Sequence, residues 1–121
     1  MSTPEAKVKK MVNDVLAEFS ERVLAQAHSI PGMLEVSSLK QYWPVPAGFG
    51  ASDLGCIVCY YGVYITIETK APGKHPTPRQ ELTIAQAKGA GGMVFVIDGK
   101  EGCEQLRSAL TLIRFSNANN S

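Results

Sequence analysis

Long apolar runs are missing from this chain. Nothing approaches the roughly 18 to 20 uninterrupted apolar residues of a membrane-spanning helix. The charges spread from Glu5 to Arg22 leave no room for the apolar centre of a secretory leader. Cysteine is scarce and odd in number, three in 121 residues, which argues against a disulfide framework and for a reducing cytoplasm. Excess charge is missing too. Twelve Lys and Arg against eleven Asp and Glu leave a net +1, too little for a cationic coat on nucleic acid or membrane, although a local basic patch is allowed. Neither an internal repeat nor a low-complexity segment occurs. What is present is a composition of 45% hydrophobic and 19% charged residues, which excludes disorder as the default and suffices for one unstapled core. The expectation is a single soluble, cytoplasmic domain over residues 1–121.

Periodicity predicts a first helix from Pro4 to about His28. Val8, Met11, Val12, Val15, Leu16, Phe19, Val23 and Leu24 recur at three- and four-residue steps, and Pro31-Gly32 ends the run. Residues 33–52 are the least regular, with a short strand possible at Leu39–Val45. Two β-like runs follow, Asp53–Tyr60 and Val63–Lys70, joined by a Tyr61-Gly62 turn. Thr77-Pro78-Arg79-Gln80 reads as a capping box opening a second helix that stops near Lys88. Met93–Ile97 reads as a buried strand. Asp98 caps a third helix to about Phe115, with Cys103, Leu106, Leu110 and Ile113 facing the core and a frayed tail at 116–121. The order helix, weak strand, hairpin, helix, strand, helix implies an α/β fold with a mixed β-sheet and a central hairpin flanked by helices.

The hairpin register carries the functional argument. If Tyr61-Gly62 is a two-residue loop, Tyr60 pairs with Val63, Gly55 falls opposite Glu68, and Asp53 falls opposite Lys70. One face then holds Leu54, Cys56, Val58, Tyr60, Val63, Ile65, Ile67 and Thr69, which is core. The other gathers Asp53, Glu68 and Lys70 at the open end; a three-residue loop would scatter them. Two carboxylates so close take up a proton or share a cation. Oxygen ligands with an open water shell suit Mg²⁺, which activates water and stabilises charge on a phosphate, while a lysine holds the water or the phosphate oxygen. Against this stands the plainer reading of a solvated outer face with a cross-strand ion pair, and spacing alone does not separate the two.

A longer pattern does. Gly50-Ala51-Ser52-Asp53-Leu54, Ile67-Glu68-Thr69-Lys70, Pro72-Gly73-Lys74, Thr77-Pro78 and Gln80 occur in that order. The chain resembles the virus-type replication-repair nuclease (VRR-NUC) domain of the PD-(D/E)xK nuclease superfamily over roughly residues 5–97. The resemblance implies a restriction-endonuclease-like core and a DNA endonuclease dependent on Mg²⁺ or Mn²⁺. It implies metal ligation by Asp53, Glu68 and the Thr69 carbonyl, a water-orienting Lys70, and a supporting Gln80. It also implies an acid on the first helix, for which Glu5 fits best, ahead of Glu18 and Glu21. Small stand-alone members of the family occur in phages and bacteria, so the resemblance implies a bacterial or phage-infected cell, a homodimer, and branched DNA such as a four-way junction or flap as substrate. The pattern departs at Ser52, where the family often has Pro, at Thr69 and at His75, none of which removes a ligand.

Other features have plainer readings. Cys56 and Cys59 stand at an odd strand spacing, so their thiols face opposite ways and no metal pair forms. Gly73-Lys74 lacks the rest of a phosphate-binding loop, and Gly89–Gly92 is turn chemistry. Gln80 already serves a cap, and an acid at Glu5 already suits a helix start. Tyr42 and Trp43 could stack on bases, but alternation turns one of them inward. Lys7, Lys9 and Lys10, with Lys40, Lys74 and Arg79, offer phosphate contacts or merely a solvated face. The rival function is a non-catalytic DNA-binding or assembly module on the same fold.

Overall fold

The computed structural model describes residues 3–44 and 55–119. Asp53, with the rest of the Gly50–Leu54 motif, lies outside them.

Helix α1 spans Pro4–Glu18. Thr3 caps it, its Oγ1 accepting from the Ala6 N–H at 3.0 Å, and Pro4 occupies the first turn, where no N–H partner is needed. Val8, Val12, Val15 and Leu16 form the buried stripe. The helix stops well short of His28, the predicted end. Phe19 leaves helical geometry at φ −107°, ψ 4°, and Ser38 holds the departing chain. The Ser38 hydroxyl donates to the Phe19 carbonyl at 3.3 Å and accepts from the Glu21 N–H at 3.1 Å, while its own N–H reaches the Glu21 carbonyl at 2.7 Å. Val23 and Leu24 therefore belong to strand β1 (Arg22–Gln26), which pairs antiparallel with β2 (Met33–Ser37). Pro31-Gly32 lies in the loop of that hairpin, with Gly32 at φ 100°.

The main sheet has four strands in the order β3 (Leu39–Tyr42), β4 (Cys56–Tyr60), β5 (Val63–Thr69), β6 (Met93–Ile97). The first three run antiparallel to their neighbours, and β5 and β6 are parallel, so the sheet is mixed as expected. Tyr60 pairs with Val63 and Cys56 with Ile67, the predicted register. The turn that sets it has Tyr61 at φ 48° and Gly62 at φ 83°, both left-handed as a two-residue hairpin of this twist requires. Tyr61 tolerates that geometry because its ring packs on Tyr60 at 4.7 Å and its hydroxyl donates to Glu21 at 3.0 Å.

Between the parallel strands runs α2 (Pro78–Gly89), and α3 (Lys100–Asn119) follows β6. Helices α1 and α3 cover one sheet face. There Cys56, Val58, Tyr60, Ile65, Ile67 and Ile97 pack fully buried against Val12, Leu16, Leu106 and Leu110. Three further expectations need correction. Strand β6 is an edge strand, half-buried, with only Ile97 enclosed and Val96 exposed. Helix α3 continues through Asn119, past the predicted end at Phe115 and into the expected tail. Asp98, read as the cap of α3, instead accepts from the Gly73 N–H at 3.0 Å and anchors the 71–76 loop. Among the described residues, no helix is long and apolar enough to cross a membrane.

Candidate functional site

The C-terminal end of β5 carries two buried polar side chains, Glu68 at 6% exposure and Thr69 at 8%, and α2 adds a third, Gln80 at 9%. A carboxylate at that depth on a strand end is unusual. Its position follows from the register. Residue 55 stands opposite Glu68, and it is glycine; a Cβ there would lie 2.2 Å from the Ile67 carbonyl oxygen and 2.9 Å from Glu68 Oε1. The carboxylate thus rests against bare backbone that no larger residue would leave open.

Gln80 is placed by the capping box. Its N–H donates to Thr77 Oγ1 at 3.2 Å, and its Oε1 accepts from the Thr77 N–H at 3.0 Å, so any donation by its side chain comes from Nε2. The cap predicted from Thr77-Pro78-Arg79-Gln80 is present in full. On the other side of the strand end, the first turn of α1 brings in Glu5. A cleft of about 320 Å³ joins these pieces, lined by Thr3, Glu5, Lys9, Trp43, Gly55, Glu68, Thr69 and Gln80, with Ala6 and Pro44.

Of the residues singled out from sequence, Glu5, Glu68, Thr69 and Gln80 therefore share one cleft. Lys70 follows directly in the chain, half-buried, its N–H bonded to the Ile97 carbonyl at 2.9 Å, but its side chain is not part of the cleft wall. Lys74 and Arg79 are exposed in the loop and first turn leading to Gln80, outside the cleft lining. Lys40 is exposed on β3, opposite Cys59 and away from the cleft. The alternative first-helix acids go elsewhere. Glu18 takes a two-point contact from Arg107 at 2.8 and 3.0 Å, which holds its carboxyl below the usual range; Glu21 meets Arg114 at 3.0 Å and Tyr61. Both clamp elements together at the far end of α1.

Three further residues line the cleft: Gly55 as the floor under Glu68, where the hairpin register places it, and Lys9 with Trp43, named in the sequence as a phosphate contact and a stacking ring but not joined there to Glu68. Lys9 was legible in principle, since it stands one helical turn beyond Glu5 and so on the same side of α1.

The donors in the cleft are oxygens, with neither sulfur nor imidazole among its lining residues. Such a set fits Mg²⁺ or Mn²⁺ better than zinc. Among the described residues, no three His, Cys, Asp or Glu side chains gather closely enough to hold a metal ion. Cys56 is buried and Cys59 exposed, on opposite sheet faces as their spacing required, and all three cysteines are free. A larger groove of about 740 Å³ runs along α2, lined by Tyr64, Thr83, Gln86 and Ala87 among others, but it contains no carboxylate, imidazole, thiol or amine.

Fold and site together define an α/β protein with a mixed sheet and an acidic cleft at the end of its central strands. Comparison with protein-family models, with curated proteins and with solved structures finds no match.

Proposed function

We propose that this chain is a Mg²⁺- or Mn²⁺-dependent DNA endonuclease with a restriction-endonuclease-like core, acting as a homodimer on branched DNA in a bacterial or phage-infected cell. One observation carries the reading. Glu5, Glu68, Thr69 and Gln80, which the family resemblance singles out, line one cleft. A solvated surface pair would leave Glu68 in water; it is 6% exposed instead.

In this reading Glu68, Asp53 and the Thr69 carbonyl hold the metal, with Glu5 as an outer acid. When bound, the metal supplies an activated water and charge stabilisation on the phosphate. Gln80 offers Nε2 to an oxygen in the cleft while its Oε1 stays committed to the cap. Lys70 supplies a positive charge next to Glu68 and orients the attacking water.

The alternative is a non-catalytic DNA-binding or assembly module on the same fold. One experiment separates them: cleavage of labelled duplex, flap and four-way junction DNA with Mg²⁺ or Mn²⁺, comparing wild type with Glu68→Gln, Asp53→Ala and Lys70→Ala. Cutting by wild type and its loss in all three variants supports the nuclease. Binding without cutting under either metal supports the module, and equal cutting by all four proteins removes this active site.

A further inference from the structure

We infer that Lys9 is a backbone-phosphate contact of the cleft, its ammonium oriented by the face of Trp43. The inference rests on the nucleic-acid part of the reading above. Lys9 Nζ lies 4.3 Å from the Trp43 ring centroid, within range of a cation–π attraction. Trp43 is fixed in turn, its indole Nε1–H donating to Asn13 Oδ1 at 2.8 Å. Asn13 stands one turn further along α1 than Lys9, so helix, ring and ammonium form a closed loop of contacts beside the cleft.

The three lysines at the start of α1 are thereby sorted. Lys10 is drawn to Asp14 at 3.1 Å and Lys7 lies outside the cleft lining, whereas Lys9 lines the cleft and makes no ion pair with any described residue. An ammonium held over an aromatic face, beside two carboxylates it does not pair with, keeps its donors for an incoming anion. Because a phosphate contact reads no base, the contribution is independent of sequence.

The test is equilibrium binding of a fluorescein-labelled 30-base-pair duplex in EDTA, followed by anisotropy between 50 and 200 mM salt, with cleavage in Mn²⁺ measured in parallel. Losing one phosphate contact lowers the slope of log Kobs against log salt by about 0.9 and weakens binding roughly eightfold at 0.1 M. Lys9→Ala is expected to do both, Lys9→Arg to restore the slope, and Lys10→Ala to leave it at the wild-type value. Trp43→Leu is expected to keep the slope and to weaken binding about two- to fivefold, since it loosens the ammonium without removing it. A merely structural Lys9 would change stability and not the slope. An unchanged slope in Lys9→Ala, an equal fall in Lys10→Ala, or no binding by wild type overturns the inference. Intact cleavage with an unchanged Lys9→Ala slope leaves the nuclease reading standing. A Lys9-dependent slope without any cutting removes that reading and keeps the contact.

Discussion

At position 55 a side chain has nowhere to go. A methyl group there would sit 2.2 Å from the Ile67 carbonyl and 2.9 Å from Glu68 Oε1, and the nearer partner is backbone that cannot swing clear. Gly55→Ala is expected to cost about 1–3 kcal/mol by overpacking, read from the urea midpoint, and to reduce cleavage further by pushing the carboxylate off its seat. This requirement was legible, because the Tyr61-Gly62 turn fixes which residue faces Glu68. A second residue-scale prediction concerns alkali. Burial pushes the Cys56 thiol up to about 12 from its ordinary 9.0. Burial, then the nearby Glu21 charge, pushes the Tyr60 hydroxyl up to about 12 from 10.0, and that hydroxyl has no hydrogen-bond partner among the described residues. Both pKa values are raised in the folded state, so the unfolded chain loses these protons first. The stability they confer is complete below pH 9 and is lost as pH rises toward 12, at up to about 1.4 kcal/mol per pH unit for each group. Urea unfolding at pH 8, 9 and 10 should show the decline beginning above pH 9, with a flatter slope there for Cys56→Ala.

At the scale of the element, α2 ties a structural device to the site. Thr77 and Gln80 satisfy each other's backbone N–H groups, and the same bond that caps the helix holds Gln80 at the cleft. Thr77→Ala should cost about 1 kcal/mol of stability and also lower cleavage, whereas Thr77→Ser, which keeps the hydroxyl, should spare both. Comparing the two by thermal melting and by cleavage rate tests the coupling. This helix could be read from sequence because its signals are local: a cap, a proline in the first turn, and an amide three residues on. The end of α1 could not. Val23 and Leu24 continue a helical stripe from Phe19 as well as they fit a strand, and the choice is made by Ser38, nineteen positions beyond Phe19. The hairpin β1–β2 was therefore missed, while β4–β5, whose turn residues specify their own geometry, was placed correctly down to its pairing. The same logic explains the partial view of the site. Glu68, Thr69 and Gln80 lie on elements with strong local signals, but the Trp43–Asn13 contact that shapes the opposite wall joins distant parts of the chain.

Seen whole, the molecule leaves its β1–β2 hairpin without cover. Leu24, Ile30, Met33, Leu34 and Val36 are 39–68% exposed. Pairing puts Val23, Ala25, Leu34 and Val36 on one face, with no charge among them. The other face pairs Arg22 with Glu35 at 3.5 Å, so the hairpin strands carry no net charge and little to attract a DNA backbone. A two-stranded ribbon is marginal in water unless something packs on it, and an uncharged face of this kind is complementary to itself, as a two-fold contact demands. A second copy of the chain is accordingly the occupant that fits the proposed homodimer. Leu34→Glu would place a charge on that face twice per dimer and remove about 3–6 kcal/mol of apolar burial, enough to weaken association a hundredfold or more. Light scattering on the purified protein should give twice the chain mass for wild type and the monomer mass for Leu34→Glu. Duplex binding through the cleft should persist in the variant, because the hairpin residues take no part in its lining, while cutting of both arms of a four-way junction should be lost. A monomeric wild type at tens of micromolar, or a dimer indifferent to Leu34→Glu, would sever the exposed hairpin from the assembly.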